Sequence, residues 1–315
     1  MDKNLKSMKK NILIIGLFLL LGATAWGQQE AMYTHYMFNT LDMNPAYAGS
    51  RGAMSIVGLR RNQWVGFEGA PITQGINMNT PIFGDHMAVG LSASSDAIGP
   101  IKTTSMVVSL AYRMKINDDA KLSFGINGGF NSLNTQFSRL DLNTPVDEVF
   151  ATSAQSDWSP NFGFGMYYTT SKWYAGISAP RILENTYKVN TSSVGLLQAS
   201  RHYYMIGGAI LDISPVVKYR PSVFFKVVEG APAQLDLTNM FIFHDLFWVG
   251  SMIRTGDGAG AMAGFNINQD LQLGYAYDWS YSFGRVSNHN GSHEIMLRYE
   301  LRYGSQEKIK SPRYF

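Results

Sequence analysis

The 315-residue chain contains no cysteine, which removes disulfides and thiolate metal sites and leaves the redox compartment unread from this residue type. Charge is also scarce. Asp, Glu, Lys and Arg make up 16% of the residues, with a formal balance of +3. No dense Lys/Arg cluster follows the first residues, so nucleic acid is not expected as a partner. Beyond residue 27 no apolar run reaches the roughly 20 residues that a membrane-crossing helix needs. Familiar chemistry is missing as well. His35, His86, His202, His244, His289 and His293 show no zinc spacing, and there is no G-x-S-x-G elbow. "GDGAGAMAG" (256–264) has glycines spaced like a dinucleotide loop, but without a βαβ unit around it the stretch reads as a Gly-rich hairpin loop. No catalytic residue, cofactor or metal is expected.

In place of charge the chain carries 13% aromatic residues, a balance suited to a protein that shows Tyr, Phe and Trp to lipid headgroups. The N-terminus is built for export. "KSMKKN" is a basic region, Ile12 to Leu21 an apolar run, and "ATAWGQQ" a small-residue cleavage site with Ala25 and Gly27 at its selective positions. Cleavage after Gly27 is expected, with Met8 as an alternative natural start. The mean hydropathy of −0.09 then leaves two classes: a soluble exported protein, or a transmembrane β-barrel whose alternation hides its lipid face.

Alternation favours the barrel. Met106, Val108, Leu110, Tyr112 and Met114 share one face, opposed by Ser105, Val107, Ser109, Ala111 and Arg113. Leu122, Phe124, Ile126 and Phe130 oppose Lys121, Ser123, Gly125, Asn127 and Asn131, and Ile295, Leu297, Tyr299, Leu301 and Tyr303 oppose Glu294, Met296, Arg298, Glu300 and Arg302. A soluble sandwich would alternate too. However, many segments approach the 10 or so residues of a tilted membrane strand, the polar wall suits a wet or plugged lumen, and the apolar wall often ends in an aromatic girdle.

The expected strands fall near 53–61, 72–79, 87–94, 103–114, 121–131, 160–169, 173–178, 202–210, 222–228, 234–242, 246–254, 260–268, 271–279 and 293–303. Pro215, Pro221 and Pro232 blur the ends within 211–233. From the fourth strand on, short links alternate with long ones (132–159, 179–201, "TGDGAG" and 280–292), as an up-and-down barrel requires. The expected fold is therefore all-β: a transmembrane up-and-down antiparallel barrel of about fourteen strands. Its parts are a cleaved signal peptide (1–27), an N-terminal periplasmic or plug segment (28–52), the barrel (53–303) and a periplasmic tail (304–315), with both termini periplasmic.

Arg113, Arg254, Arg298, Glu300 and Arg302 are expected to face the lumen, since a mid-depth Arg on the lipid face would cost roughly 2–4 kcal/mol. In "NGSHE", Ser292, His293 and Glu294 suggest an acyl hydrolase, but neighbouring strand residues face opposite walls. In "LDMNPAYAG", Pro45 fixes its own φ and pushes Asn44 out of the helical region, while Gly49 permits conformations closed to branched residues. That bend either hinges a plug carrying Tyr33, Tyr36 and Phe38 or is an ordinary lead-in turn.

"MYTHYMFNTLDMNPAYAGSRG" (32–52) resembles the opening of the PorP/SprF family of type IX secretion membrane proteins of the Bacteroidota, with Asn44, Pro45, Ala46, Tyr47 and Gly49 in the matching block. In "RNQWVGFEGAP", Arg61, Gln63, Trp64, Gly66, Phe67 and Pro71 match the family's R-x-Q-W-x-G-F…P pattern. "GYAYDWS" with Tyr275, Tyr277 and Asp278, and "SHEIMLRY" with His293 and Glu294, are similar to its paired closing signature. The resemblance implies an outer-membrane barrel serving type IX secretion or gliding motility. Its implied partners are outer-membrane lipid, a large secreted adhesin with a C-terminal sorting domain, and periplasmic ring or peptidoglycan-binding proteins. The long loops would receive the cargo and the basic tail a machine partner. A fatty-acid-transporter-like channel for small solutes remains the alternative reading and an acyl hydrolase the third.

Overall fold

The computed structural model describes residues 32–84, 86–135, 155–184, 186–188, 196–198, 200–280 and 290–301. Fourteen antiparallel strands form the wall: β1 (Met54–Asn62), β2 (Ile72–Phe83), β3 (Met87–Ile98), β4 (Ile101–Lys115), β5 (Lys121–Thr135), β6 (Gln155–Thr169), β7 (Trp173–Arg181), β8 (His202–Ala209), β9 (Val217–Val228), β10 (Gln234–Phe243), β11 (Phe247–Arg254), β12 (Gly258–Asn266), β13 (Leu271–Ser280) and β14 (Ser292–Leu301). Each pairs with its sequence neighbour, and β1 pairs with β14 from Met54↔Leu301 to Asn62↔His293. The sheet is closed, which leaves no unpaired edge in the wall. Two short strands, Thr186–Lys188 and Leu196–Gln198, pair apart from it, and Leu211–Ser214 extends the partner row of β9. No helix among the described residues is long and apolar enough to cross a membrane; the strands do the crossing.

The two faces of the wall follow the alternation in the sequence. Met106, Val108, Leu110 and Tyr112 are exposed on the outside, whereas Ser105, Ser109, Ala111 and Arg113 are buried inside. In β14, Ile295, Leu297, Tyr299 and Leu301 face out and Glu294, Met296 and Glu300 face in. Arg113 and Arg254 are buried inward as expected, and Arg298 lies on the same inner parity. Arg302, the tail and the signal peptide fall outside the described residues.

Two expectations are corrected. Several strands are longer than the pattern implied. β9 in particular runs straight through Pro221, which pairs with Asn239 of β10. On its other side β9 has passed the end of its β8 pairing, at Gly208↔Ser222, so the missing proline N–H breaks no ladder bond there. The alternation of short and long links also fails at the β11–β12 link (255–257), which is as short as the 244–246 link before it. There a Cβ at Gly258 would overlap the Trp279 carbonyl, so glycine lets β12 continue in close register with β13.

We call the end of the barrel carrying links such as 63–71, 136–154 and 281–291 the loop rim, and the end carrying 84–86, 116–120 and 170–172 the turn rim. The described N-terminal stretch begins near the loop rim, beside Asp278, Glu294 and Arg254, and reaches the turn rim beside Asn79 and Glu300 before β1 begins. The first and last described residues therefore lie towards opposite rims; the two termini, expected on one side, lie outside the described residues.

Candidate functional site

The stretch from Met32 to Ala48 is almost wholly buried and lies inside the closed wall. It is irregular: a 3₁₀ turn at Tyr36–Phe38, one helical turn at Thr40–Met43, and a second 3₁₀ turn at Pro45–Tyr47. Such a stretch cannot satisfy its backbone by secondary structure alone, so the wall must supply partners.

Near the loop rim those partners are charged. Glu294 of β14 accepts from the Thr34 and His35 backbone N–H groups, both at 2.8 Å, and pairs with His35 Nδ1 at 2.7 Å. Arg61 of β1 donates to Thr34 Oγ1 at 2.7 Å and to Glu294 at 3.2 Å, and it pairs with Asp278 of β13. The Thr34 hydroxyl donates to Asp278 at 2.6 Å. Arg61 and Glu294 are 2% and 0% exposed, so these charges depend on one another rather than on water. Two strands away from this group, on β11, Arg254 grips Asp236 through Nε and Nη2 (2.8–3.1 Å) and reaches the Tyr33 carbonyl at 3.3 Å. Farther down, the guanidinium groups of Arg220 (5.4 Å) and Arg298 (5.1 Å) both lie over the Phe38 ring, which also packs on Trp248. Arg51 pairs with Glu300 at the turn rim.

Across the barrel the same stretch is held by absence of side chains. Asn44 is extended (φ −144°) ahead of Pro45, and its carboxamide accepts from Ala46 N at 3.0 Å. Its amide donates to the carbonyls of Met166 in β6 (3.0 Å) and Ile177 in β7 (3.3 Å). This fit requires Gly125, Gly165 and Gly176 on three adjacent strands: a Cβ on the first would overlap the Pro45–Ala46 backbone, and on the others the Asn44 side chain. Tyr47 meets Tyr167 edge-on at 5.5 Å. Gly49 sits at φ +69° and donates to Asn79 at 3.0 Å, in a space that a Cβ would share with Ala88. Burial pushes the carboxyl of Asp42, in the turn between these anchors, up to about 6. Burial also raises the phenols of Tyr33 and Tyr36.

The motif residues divide accordingly. Asn44, Pro45, Ala46, Tyr47, Gly49, Arg61, Asp278 and Glu294 meet around the internal stretch. Gln63, Trp64, Gly66, Phe67 and Pro71 shape the β1–β2 loop instead. Gln63 N donates to Pro71 O at 2.9 Å, Trp64 holds φ +44° with its N–H on Ser292 Oγ (3.2 Å), and Phe67 projects outward. Tyr275, Tyr277 and His293 lie on the outer face, with Tyr275 Oη 2.6 Å from His293 Nδ1. Ser292 is buried inward and His293 faces out, the opposed placement that strand alternation requires. Reading the sequence missed Thr34, His35, Arg51 and Asp236, and the three glycines. The glycines were legible in principle, as inward positions on neighbouring strands with Gly125 directly opposite Gly165.

A family model for the type IX secretion system membrane protein PorP/SprF matches residues 25–299. The chain belongs to that family. As a PorP/SprF protein it is an outer-membrane β-barrel component of type IX secretion. No curated protein matches it. Similar solved structures include the CymD monoaromatic hydrocarbon channel (11% identity, 84% of this chain and 93% of that one, TM-score 0.49). Others are a Pseudomonas aeruginosa FadL homologue (12%, 88% and 96%, 0.47) and the NanC porin (10%, 79% and 100%, 0.41).

Proposed function

We propose that this PorP/SprF protein is a docking component rather than a conduit. The C-terminal sorting domain of a large secreted adhesin would engage the loop rim, while a periplasmic ring or peptidoglycan-binding protein, aided by the tail 304–315, would engage the turn rim. The observation that carries this reading is the internal stretch itself. Met32–Ala48 is buried within the barrel and fixed by ion pairs at one end and by close backbone packing at the other, which supports reading it as a plug. A lumen held by its own chain suits a rigid platform for partners.

The test is affinity purification of the full chain from native membranes, combined with single-channel recording of the purified barrel. A co-purifying adhesin with a sorting domain and a closed baseline are expected. Loss of uptake of a labelled apolar solute on gene deletion, with secretion intact, would instead establish the transporter reading. Removal of residues 305–315 should weaken recovery of the periplasmic partner; unchanged recovery and surface display would refute the role of the tail.

A further inference from the structure

From β14 to β4 the outer wall is apolar in its middle rows and changes character in one register step near the loop rim. On β14, β1, β2, β3 and β4, one outward row reads Leu297, Gly58, Ile76, Ala93 and Met106. The next row towards the loop rim reads Ile295, Arg60, Gln74, Ser95 and Thr104, and the one beyond it reads His293, Asn62, Ile72, Ala97 and Lys102. Tyr275 and Tyr277 on β13 continue the two upper rows through Ile295 and His293. On β6, by contrast, the outer face at the same rim carries exposed Trp158 and Phe162. Near this rim, Arg60, Gln74, Ser95 and Thr104 thus form a polar outward row across β1 to β4, within the β14–β4 sector.

Within that sector Arg60 is exposed on the lipid-facing side, and its one hydrogen bond among the described residues runs from Nε to Asn62 Oδ1 at 3.3 Å. Lys102 is also exposed. The carboxylates on these strands do not answer them: Glu294 and Glu300 are buried inward, and Asp96 accepts from Thr73 on the inner parity. An arginine on this face is tolerated only where headgroups begin, and its free N–H fork matches phosphate oxygens. The flanking Tyr275, Tyr277 and Trp279 provide the aromatic anchors found at that depth.

We propose that this sector binds the phosphate of an anionic membrane lipid, with Arg60 as the principal contact, Asn62 and His293 in the next row beside it, and Lys102 three strands away at the edge of the sector. Lipid is the occupant because the donors stand directly above the apolar rows that acyl chains would cover, and because the sector offers donors without an outward carboxylate. The site is separate from the internal stretch and depends only on the barrel.

The test is native mass spectrometry of the full-length protein released from detergent after incubation with phosphatidylglycerol, using diacylglycerol of the same chains as the phosphate-free probe. Wild type should retain phosphatidylglycerol and shed diacylglycerol. Arg60→Gln should lower retention about tenfold, the loss of a charge-assisted hydrogen bond, with Arg60→Lys recovering part of it. Lys102→Gln should give a smaller loss and serves as an independent variant if Arg60→Gln does not fold. Equal retention of the two lipids, or retention unchanged in both Gln variants, would overturn the site. Capture of a polypeptide on this face that phosphatidylglycerol fails to displace would also overturn it, in favour of a protein interface.

Discussion

The internal stretch meets two walls that solve one problem by opposite means. On the β13–β14–β1 side, the wall supplies full charges: Asp278, Glu294 and Arg61 bond Thr34 and His35. On the β5–β6–β7 side it supplies space, since Gly125, Gly165 and Gly176 let the Asn44–Ala46 bend come within backbone contact. Charge fixes which residues dock, because buried ions punish any misalignment. Glycine fixes how closely they dock, because close packing answers to shape. The charged wall also coincides with the seam where the first and last strands meet, so the stretch ties together the two ends of the sheet.

The largest expected effect breaks the charged side. Arg61→Met strands Asp278 and Glu294 without their guanidinium and should cost about 3–5 kcal/mol. The check is the midpoint of thermal unfolding of the barrel, with protease access to residues 32–51 reporting release of the stretch. A combined Arg61→Met, Asp278→Asn, Glu294→Gln variant should recover much of that loss; if it is no better than the single change, charge balance is not what holds this side. Next comes the glycine side. Gly125→Ala forces the bend off the wall and should cost about 1–3 kcal/mol, and mass-spectrometric hydrogen exchange should show the loss of protection centred on residues 44–47 rather than 33–35. Exchange spreading equally to both anchors would mean that the walls act as one unit.

Asn44→Ala removes the amide that reaches two strand carbonyls and should cost about 1–2 kcal/mol, read by the same exchange experiment. The smallest effect concerns Asp42. Its carboxyl rises from 3.8 to about 6 on burial, so the protonated form favours docking. That contribution is complete below about pH 4 and is lost as pH rises through about 6. Asp42→Asn should therefore abolish the pH dependence of protection across that window and raise stability at neutral pH by about 1–2 kcal/mol. A variant with the wild-type pH profile would show that another group titrates there.

The barrel was legible because its code is local. Outward Met106, Val108, Leu110 and Tyr112 against inward Ser105, Ser109 and Arg113 need only the two-residue period of a strand to be read. The inward fate of Arg254 and Glu300 follows from the same period and the cost of charge in lipid. Strand ends were less legible. At Pro221 the usual rule for proline was overridden by the absence of a β8 partner at that height, a fact of register between strands. The family motifs located Arg61, Asp278 and Glu294 but not their meeting point, because residues 61 and 294 become neighbours only when the sheet closes.

By itself the sequence determined the strand period, the lipid face, the inward charges and the kinked geometry at Asn44–Pro45, all set by steric and solvation rules acting over a few residues. Tertiary structure alone decided that the internal stretch runs from the loop rim to the turn rim, that Thr34 and His35 complete a buried ion cluster, and that three glycines clear room for the bend. Those outcomes depend on ring closure and on the stagger of fourteen strands, which bring together groups separated by more than two hundred residues of chain.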